Sequence, residues 1–364
     1  MHHFTSSCLQ TDRLTRQTVD IPEGIMSVLD TWARMDLSHI TDNQQSYSDY
    51  VSEASTRLRA RSEEWINLMH PDVASVVRAA SPKGIHVSLL RQEIYLRRWY
   101  DMSLIDHIRR GFPYVGDIPI NPTAIPSTVR RATESPQALL DRAPQIRERI
   151  ITRLESQALN HQDSEASDQQ ADRQAIWDQT EVDSRIGRMT KLRVINKFRD
   201  SKKPITKRFG VRQLSSKGKS KLRCIDDLLE SGINSTCDIR RRIRMDTITL
   251  LIVIMRVIIA IFGNIDLHFI KSDFQAAYRS CPIDPRHAAF TEIALLHPES
   301  LEIWITDQLA MPFGALAAVY AWDRLGAAIQ HIIQGGLLIP ILRYVDDLFT
   351  VLPAVISGIA WHQC

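Results

Sequence analysis

The sequence predicts an α+β protein, a polar helical half followed by strands and helices arranged on an antiparallel scheme. Three observations carry this. Through the first ~180 residues, apolar positions recur at helical spacing. From Leu222 onward, short β-rich runs alternate with turn residues, and two of the pairs read as hairpins. Between the two patterns the composition changes sign, from an acidic stretch at 161–183 to a basic one after it. A chain of 364 residues has room for two or three domains. The boundary is placed at 183/184, with 1–183 a mainly helical region of no assigned role.

The elements follow in order. Tyr47 to Met69 carries mixed charge with apolar positions at helical spacing. Val87 to Arg110 reads as one helix with the stripe Leu89, Leu90, Ile94, Leu96, Trp99, Tyr100, Leu104, Ile105 and Ile108, and Gly111 as its C′ residue. Prolines and glycines make 111–129 an ordered loop. Ser135-Pro136 opens a helix that runs to about Asn160, with serine as N-cap and proline in the first turn. Residues 161–183 form a connecting segment or an exposed helix. Arg223 to Asp227 is strand-like and Ser231 to Asn234 is turn-like. Ile248 to Phe262 reads as a buried helix: it is short for a membrane span and carries Arg256 in its middle. Leu267 to Phe274 is a strand. Ala288–Leu296 and Leu301–Leu309 flank a first hairpin turn, and Leu337–Tyr344 and Leu348–Leu352 flank a second. Ala315 to Ile333 is helical.

Five scattered cysteines with no C-x-x-C pair argue against a disulfide framework or a zinc site. The first residues lack the apolar run of a secretory signal. An intracellular protein, in nucleus or cytoplasm and with no membrane partner, is therefore expected.

Net charge is only +3, but its distribution is uneven. Residues 185–223 hold fifteen Lys or Arg against one acid, Asp200. Such a run is either a solvated face or a surface for phosphate, which would relieve its self-repulsion with release of counterions. Lys207, Arg208 and Arg212 are its candidates for gripping a template. Asp273 ends an apolar strand, and Asp346-Asp347 sits at the tip of an apolar hairpin. Adjacent like charges between segments that want burial are either an ordinary turn or a metal site. Transfer of a nucleotidyl group calls for the latter: two divalent ions about 4 Å apart, held by carboxylates from different strands.

These segments resemble, in order, the motifs of reverse transcriptases. KLRCIDDLLESGIN is similar to the fingers strand, KSDFQAAYRSCPID to motif A, AMPFGALAAVYAW to motif B and RYVDDLF to motif C. The resemblance covers roughly 185–352. It implies the fingers and palm of a right-hand polymerase with an antiparallel palm sheet. It also implies RNA-directed DNA polymerase activity on an RNA or DNA template with primer, with deoxynucleoside triphosphates and two Mg2+ or Mn2+ ions. By the same resemblance Asp273, Asp346 and Asp347 are the catalytic, metal-holding carboxylates. Tyr278 is the steric gate against a 2′-hydroxyl, Phe313 packs near the incoming base, and Gly314 admits a close approach of nucleotide or template. Lys221 and Arg223 hold the triphosphate, and Tyr344 lies near the primer end. From the residues alone, Tyr278 and Phe313 also read as core aromatics, Gly314 as a turn, and Lys221 and Arg223 as solvated. The acids Asp226-Asp227 are expected to be structural.

The chain departs from the family pattern in two places. Motif B has Val319-Tyr320 where many relatives carry a proline, and no thumb follows motif C before Cys364. Two further readings stay open: a non-catalytic nucleic-acid-binding remnant, and an RNA-templated RNA polymerase palm, which Tyr278 disfavours.

Overall fold

Apolar spacing and capping residues set the helices of the first half. In the computed structural model, which describes residues 20–80, 84–124, 130–159, 166–196, 202–214 and 220–361, α1 runs Glu23–Trp32 and α2 Leu37–Asn67. Asp36 caps α2 by accepting the His39 N–H at 2.9 Å. The chain continues through α3 (Pro71–Ala79), α4 (Val87–Leu96) and α5 (Leu104–Arg110). The single helix expected over 87–110 is thus two. The break lies at Arg98, whose φ of 53° leaves the helical region. It is held by a buried bidentate pair, Asp101 with Arg324, at 2.7 and 2.9 Å. An apolar stripe does not reveal such a partner, because it lies 223 residues away. Gly111, at φ 94°, ends α5 as expected for its position.

Ser135 caps α6 (Pro136–Asp141) through the Ala138 N–H, and α7 (Ala143–Leu159) follows after Arg142. The segment expected to be a connector or exposed helix is, from residue 166, α8 (Ala166–Arg185). It buries Ile176 and Trp177 against Leu295. Residues 161–165 lie outside the described residues, as do 125–129 of the expected loop.

The second half is mixed, which makes the whole α+β. Its strands are β2 (Arg193–Val194), β3 (Thr206–Leu214), β4 (Ser220–Asp226), β5 (Cys237–Asp238), β6 (Leu267–Asp273), β7 (Glu292–Leu296), β8 (Ile303–Asp307), β9 (Leu342–Tyr344) and β10 (Asp347–Pro353). Its helices are α9 (Ile248–Phe262), α10 (Leu316–Leu337) and α11 (Ala354–Trp361). A five-stranded sheet has the order β2-β8-β7-β3-β4, with β3 and β7 parallel and the other pairs antiparallel. A three-stranded antiparallel sheet has the order β6-β10-β9. A short strand β1 (Gly116–Asp117) pairs in parallel with β5.

Helix α9 buries Leu250, Leu251, Ile254, Val257 and Ile258, while Ile248, Ile252 and Ile259 are exposed. It is amphipathic rather than fully buried, and no helix among the described residues is long and apolar enough to cross a membrane. Two hydrophobic clusters hold the molecule together. In one, Ile25, Leu29, Trp32 and Ile40 pack with α9 and with Leu348 and Leu352 of β10. The other draws Val73, Ile94 and Leu104 together with Phe290, Ile305, Trp322 and Leu325. Each cluster therefore takes residues from both sides of position 183.

Candidate functional site

The register of the small sheet builds the site. Asp347 pairs with Asp273 across β10 and β6, and with Tyr344 across β10 and β9. The loop between β9 and β10 is thus only Val345-Asp346, and Asp346 sits beside the end of β6. A two-residue hairpin loop calls for positive φ, and Val345 adopts 57°. For a β-branched residue this costs about 1–3 kcal/mol unless its surroundings enforce it. They do: the Val345 carbonyl accepts from the Trp322 indole at 2.9 Å and from Arg343 Nη1 at 3.1 Å. Arg343 is anchored in turn by buried Asp323. The Trp322 ring also meets Phe274 edge-on at 5.0 Å, and the Phe274 N–H donates to the Asp346 carbonyl at 3.1 Å. One side chain of α10 therefore braces the residue after Asp273 and the residue before Asp346.

Burial raises the Asp346 carboxyl above its ordinary range, and the charges of Asp273 and Asp347 push it further, while Arg223 opposes. Crowded carboxylates of this kind gain most from a cation between them. Asp273 is exposed and Asp346 half-buried, so both can ligate, and hard oxygen donors suit magnesium or manganese. Asp347 differs. It accepts an ion pair from Lys271 at 2.8 Å, and this bond raises the Lys271 ammonium. No group of three His, Cys, Asp or Glu among the described residues is placed to hold a metal ion, and the expected trio Asp273, Asp346 and Asp347 does not form one.

These carboxylates open on a cavity of about 1200 Å³. Lys221 and Arg223, both exposed on the same side of β4, line it together with Phe313. The Arg223 guanidinium lies 6.0 Å from the Phe313 ring, and Tyr278 meets that ring at 5.2 Å. Burial, and then Asp346, raises the Tyr278 hydroxyl. Tyr278 opens a tight turn fixed by its neighbour Arg279, which is buried and bonds Gln308, the Ala310 carbonyl and Asp183. The first half of the chain adds to the lining through Arg78 to Ala80 and through Ala175, Gln179 and Val182 of α8.

Asp273, Asp346, Asp347, Lys221, Arg223, Tyr278 and Phe313 are thus brought together. Gly314 adjoins them at φ 99°, and a Cβ there would stand 2.4 Å from the Asp226 carbonyl. The close approach that glycine permits is to β4, not to the cavity. Sequence reasoning missed Asn234, which clamps this loop by donating to the Gly314 carbonyl and accepting from the Leu316 N–H, both at 2.9 Å. Its turn is visible in the sequence, but its partners 80 residues on are not.

Three basic candidates are engaged elsewhere, although Arg208 also lines the cavity. Arg208 is buried in a bidentate pair with Asp226 at 2.8 and 3.0 Å, a pair that Gln308 completes. Lys207 is buried as well, and Arg212 pairs with Asp172. Alternation along β3 puts these two neighbours on opposite faces, yet both are buried, which runs against a template-gripping role for them. Asp226 is structural, as expected. Tyr344 is exposed at the hairpin. Comparison with known proteins finds no matching family model and no matching curated protein.

Proposed function

We propose that the chain is an RNA-directed DNA polymerase fingers and palm, catalysing template-directed nucleotidyl transfer to a primer 3′-hydroxyl. The observation that carries this reading is the register Asp347 with Asp273, which sets Asp273 beside the Val345-Asp346 turn at the edge of a large open cavity. In the reaction the 3′-oxygen forms a bond to the α-phosphorus as the bond to the pyrophosphate oxygen breaks. The hydroxyl proton is lost and pyrophosphate leaves. Divalent ions, when bound, ease loss of that proton and neutralise the leaving group. Asp273 and Asp346 would hold them, while Lys271 pairs with Asp347. Arg223 and Lys221 line the same cavity as the carboxylates and take the triphosphate. Tyr278, pinned by Arg279 and flanked by Phe313, forms the floor under the sugar and excludes a 2′-hydroxyl.

Primer extension on an RNA template tests this, with magnesium or manganese and each nucleotide set. Incorporation of deoxynucleotides in preference to ribonucleotides is expected, with the preference relaxed in Tyr278→Ala. Equal use of both sets by the wild type contradicts the role given to Tyr278.

A second reading rests on the Lys271–Asp347 pair, which occupies one carboxylate with the protein's own cation. A chain that binds RNA with a steep salt dependence yet makes no product fits that reading instead.

A further inference from the structure

Three cations in the first half of the chain share one aromatic ring. Arg61 of α2, Arg91 of α4 and Arg109 of α5 stand 5.8, 4.9 and 5.0 Å from the centroid of Trp65 on α2. The packing of α2 on α4 and of α4 on α5 brings them together, and Trp65 is anchored by partial burial against the larger hydrophobic cluster. Among the described residues none of the three guanidinium groups has an ion pair or a hydrogen bond. The acids of these helices do not answer them. Glu93 is buried and accepts from Tyr47, Tyr50 and Arg97. Glu53 pairs with Arg57 and Glu63 with Arg78, while Glu64 and Asp106 are exposed and pair with none of the three.

A guanidinium over an exposed ring gains about 0.5–1 kcal/mol, and one such contact is an ordinary surface feature. Three on one ring are different. Sharing a centroid keeps the charges within about 11 Å of one another. That is close to the screening length of ~10 Å at 0.1 M salt, so their repulsion is not removed by solvent ions. Stacking occupies the flat face of a guanidinium and leaves its in-plane N–H groups free, the edge that takes phosphate oxygens in pairs. Arg61 and Arg91 are exposed, so a ligand reaches them directly from solvent. A single phosphate meets one or two of these forks. A run of phosphodiesters meets all three and gains from released counterions.

We infer that this face of α2, α4 and α5 binds the phosphodiester backbone of a single-stranded nucleic acid, with Trp65 as the plate that sets Arg61, Arg91 and Arg109. The surface lies in the half of the chain that no polymerase motif covers, and the inference does not rest on the polymerase reading.

Fluorescence anisotropy of a labelled oligouridylate of about 20 nucleotides with the full chain, over a series of salt concentrations, tests the inference. Wild-type binding is expected to weaken as salt rises. Arg91→Gln is expected to weaken it about fivefold or more and to flatten the logarithmic salt slope by about 0.7, the value for one phosphate contact on a single strand. Arg61→Gln is expected to do the same. Both residues are exposed on helices, where glutamine is well tolerated, so the fold is kept. Arg153→Gln, whose charge is paired with Glu230, serves as the control and leaves affinity and slope unchanged. No binding by the wild type overturns the inference. So do slopes that both cluster variants leave unchanged, or an equal loss in Arg153→Gln. Binding of phosphatidylserine vesicles in place of the RNA also overturns it and marks a lipid surface instead.

Discussion

Asp346 is destabilised where it stands, by burial and by two neighbouring carboxylates. Its folded pKa is raised, so the folded state holds a proton more tightly than the unfolded chain. Stability from this group is therefore present at low pH and is lost as pH rises from the unfolded value through the folded one. At neutral pH the charged form is a burden. Asp346→Asn is expected to raise the melting temperature in chelator-containing buffer while abolishing synthesis, the trade-off common at functional sites. Added Mn2+ is expected to raise the melting temperature of the wild type and not of this variant. A variant that melts lower than wild type in chelator contradicts the crowding account. Trp322→Phe tests the brace on the hairpin. It keeps the ring against Phe274 and removes the N–H that holds the Val345 carbonyl. The turnover number is expected to fall about tenfold or more with KM for nucleotide unchanged, because a loss of ~1.4 kcal/mol of transition-state positioning is tenfold in rate. A rise in KM alone speaks against a positioning role. Away from the site, Gln44 is fully buried in α2 with neither its amide nitrogen nor its oxygen bonded. Gln44→Leu is expected to stabilise the fold by about 1–2 kcal/mol in denaturant unfolding, by removing an unsatisfied amide.

At the scale of elements, the hairpin strands, the presence of helix α9 and the serine cap of α6 were legible because each is fixed by local chemistry, whereas the exposed face of α9 and the break at Arg142 between α6 and α7 were not. Alternation, helical period and capping are properties of neighbouring residues. The break between α4 and α5 was not legible, because Arg324 on α10 enforces it from far along the chain. The inward turn of Lys207 and Arg208 was missed for a related reason. A basic run shows its charge in the sequence, but not which of its members meets a buried Asp226. The Phe313-Gly314 loop combines both lessons. Its glycine was visible, but the neighbour that requires it, the Asp226 carbonyl, was not. Gly314→Ala is expected to cost about 1–3 kcal/mol from the positive φ alone, with the contact at β4 adding to it. Thermal unfolding of that variant checks the size of the loss, and an unchanged melting temperature contradicts the packing described.

For the whole molecule, the sequence divides where composition changes, but the cores do not divide there. Helix α1 covers β10 and α9, with the Trp32 indole donating to the Leu338 carbonyl at 2.8 Å. Helices α3 and α8 wall the carboxylate cavity. The polar first half thus stabilises the small sheet and shapes the approach to it, a role no motif in that half announces. The claim on which the account turns is that Asp273 and Asp346 form one working site. Its most direct test is primer extension on an RNA template by the full chain, wild type against Asp346→Asn, with magnesium or manganese. The account predicts metal-dependent extension with deoxynucleotides by the wild type and none by the variant. Absence of product from the wild type under every metal and template, or equal product from both proteins, contradicts it.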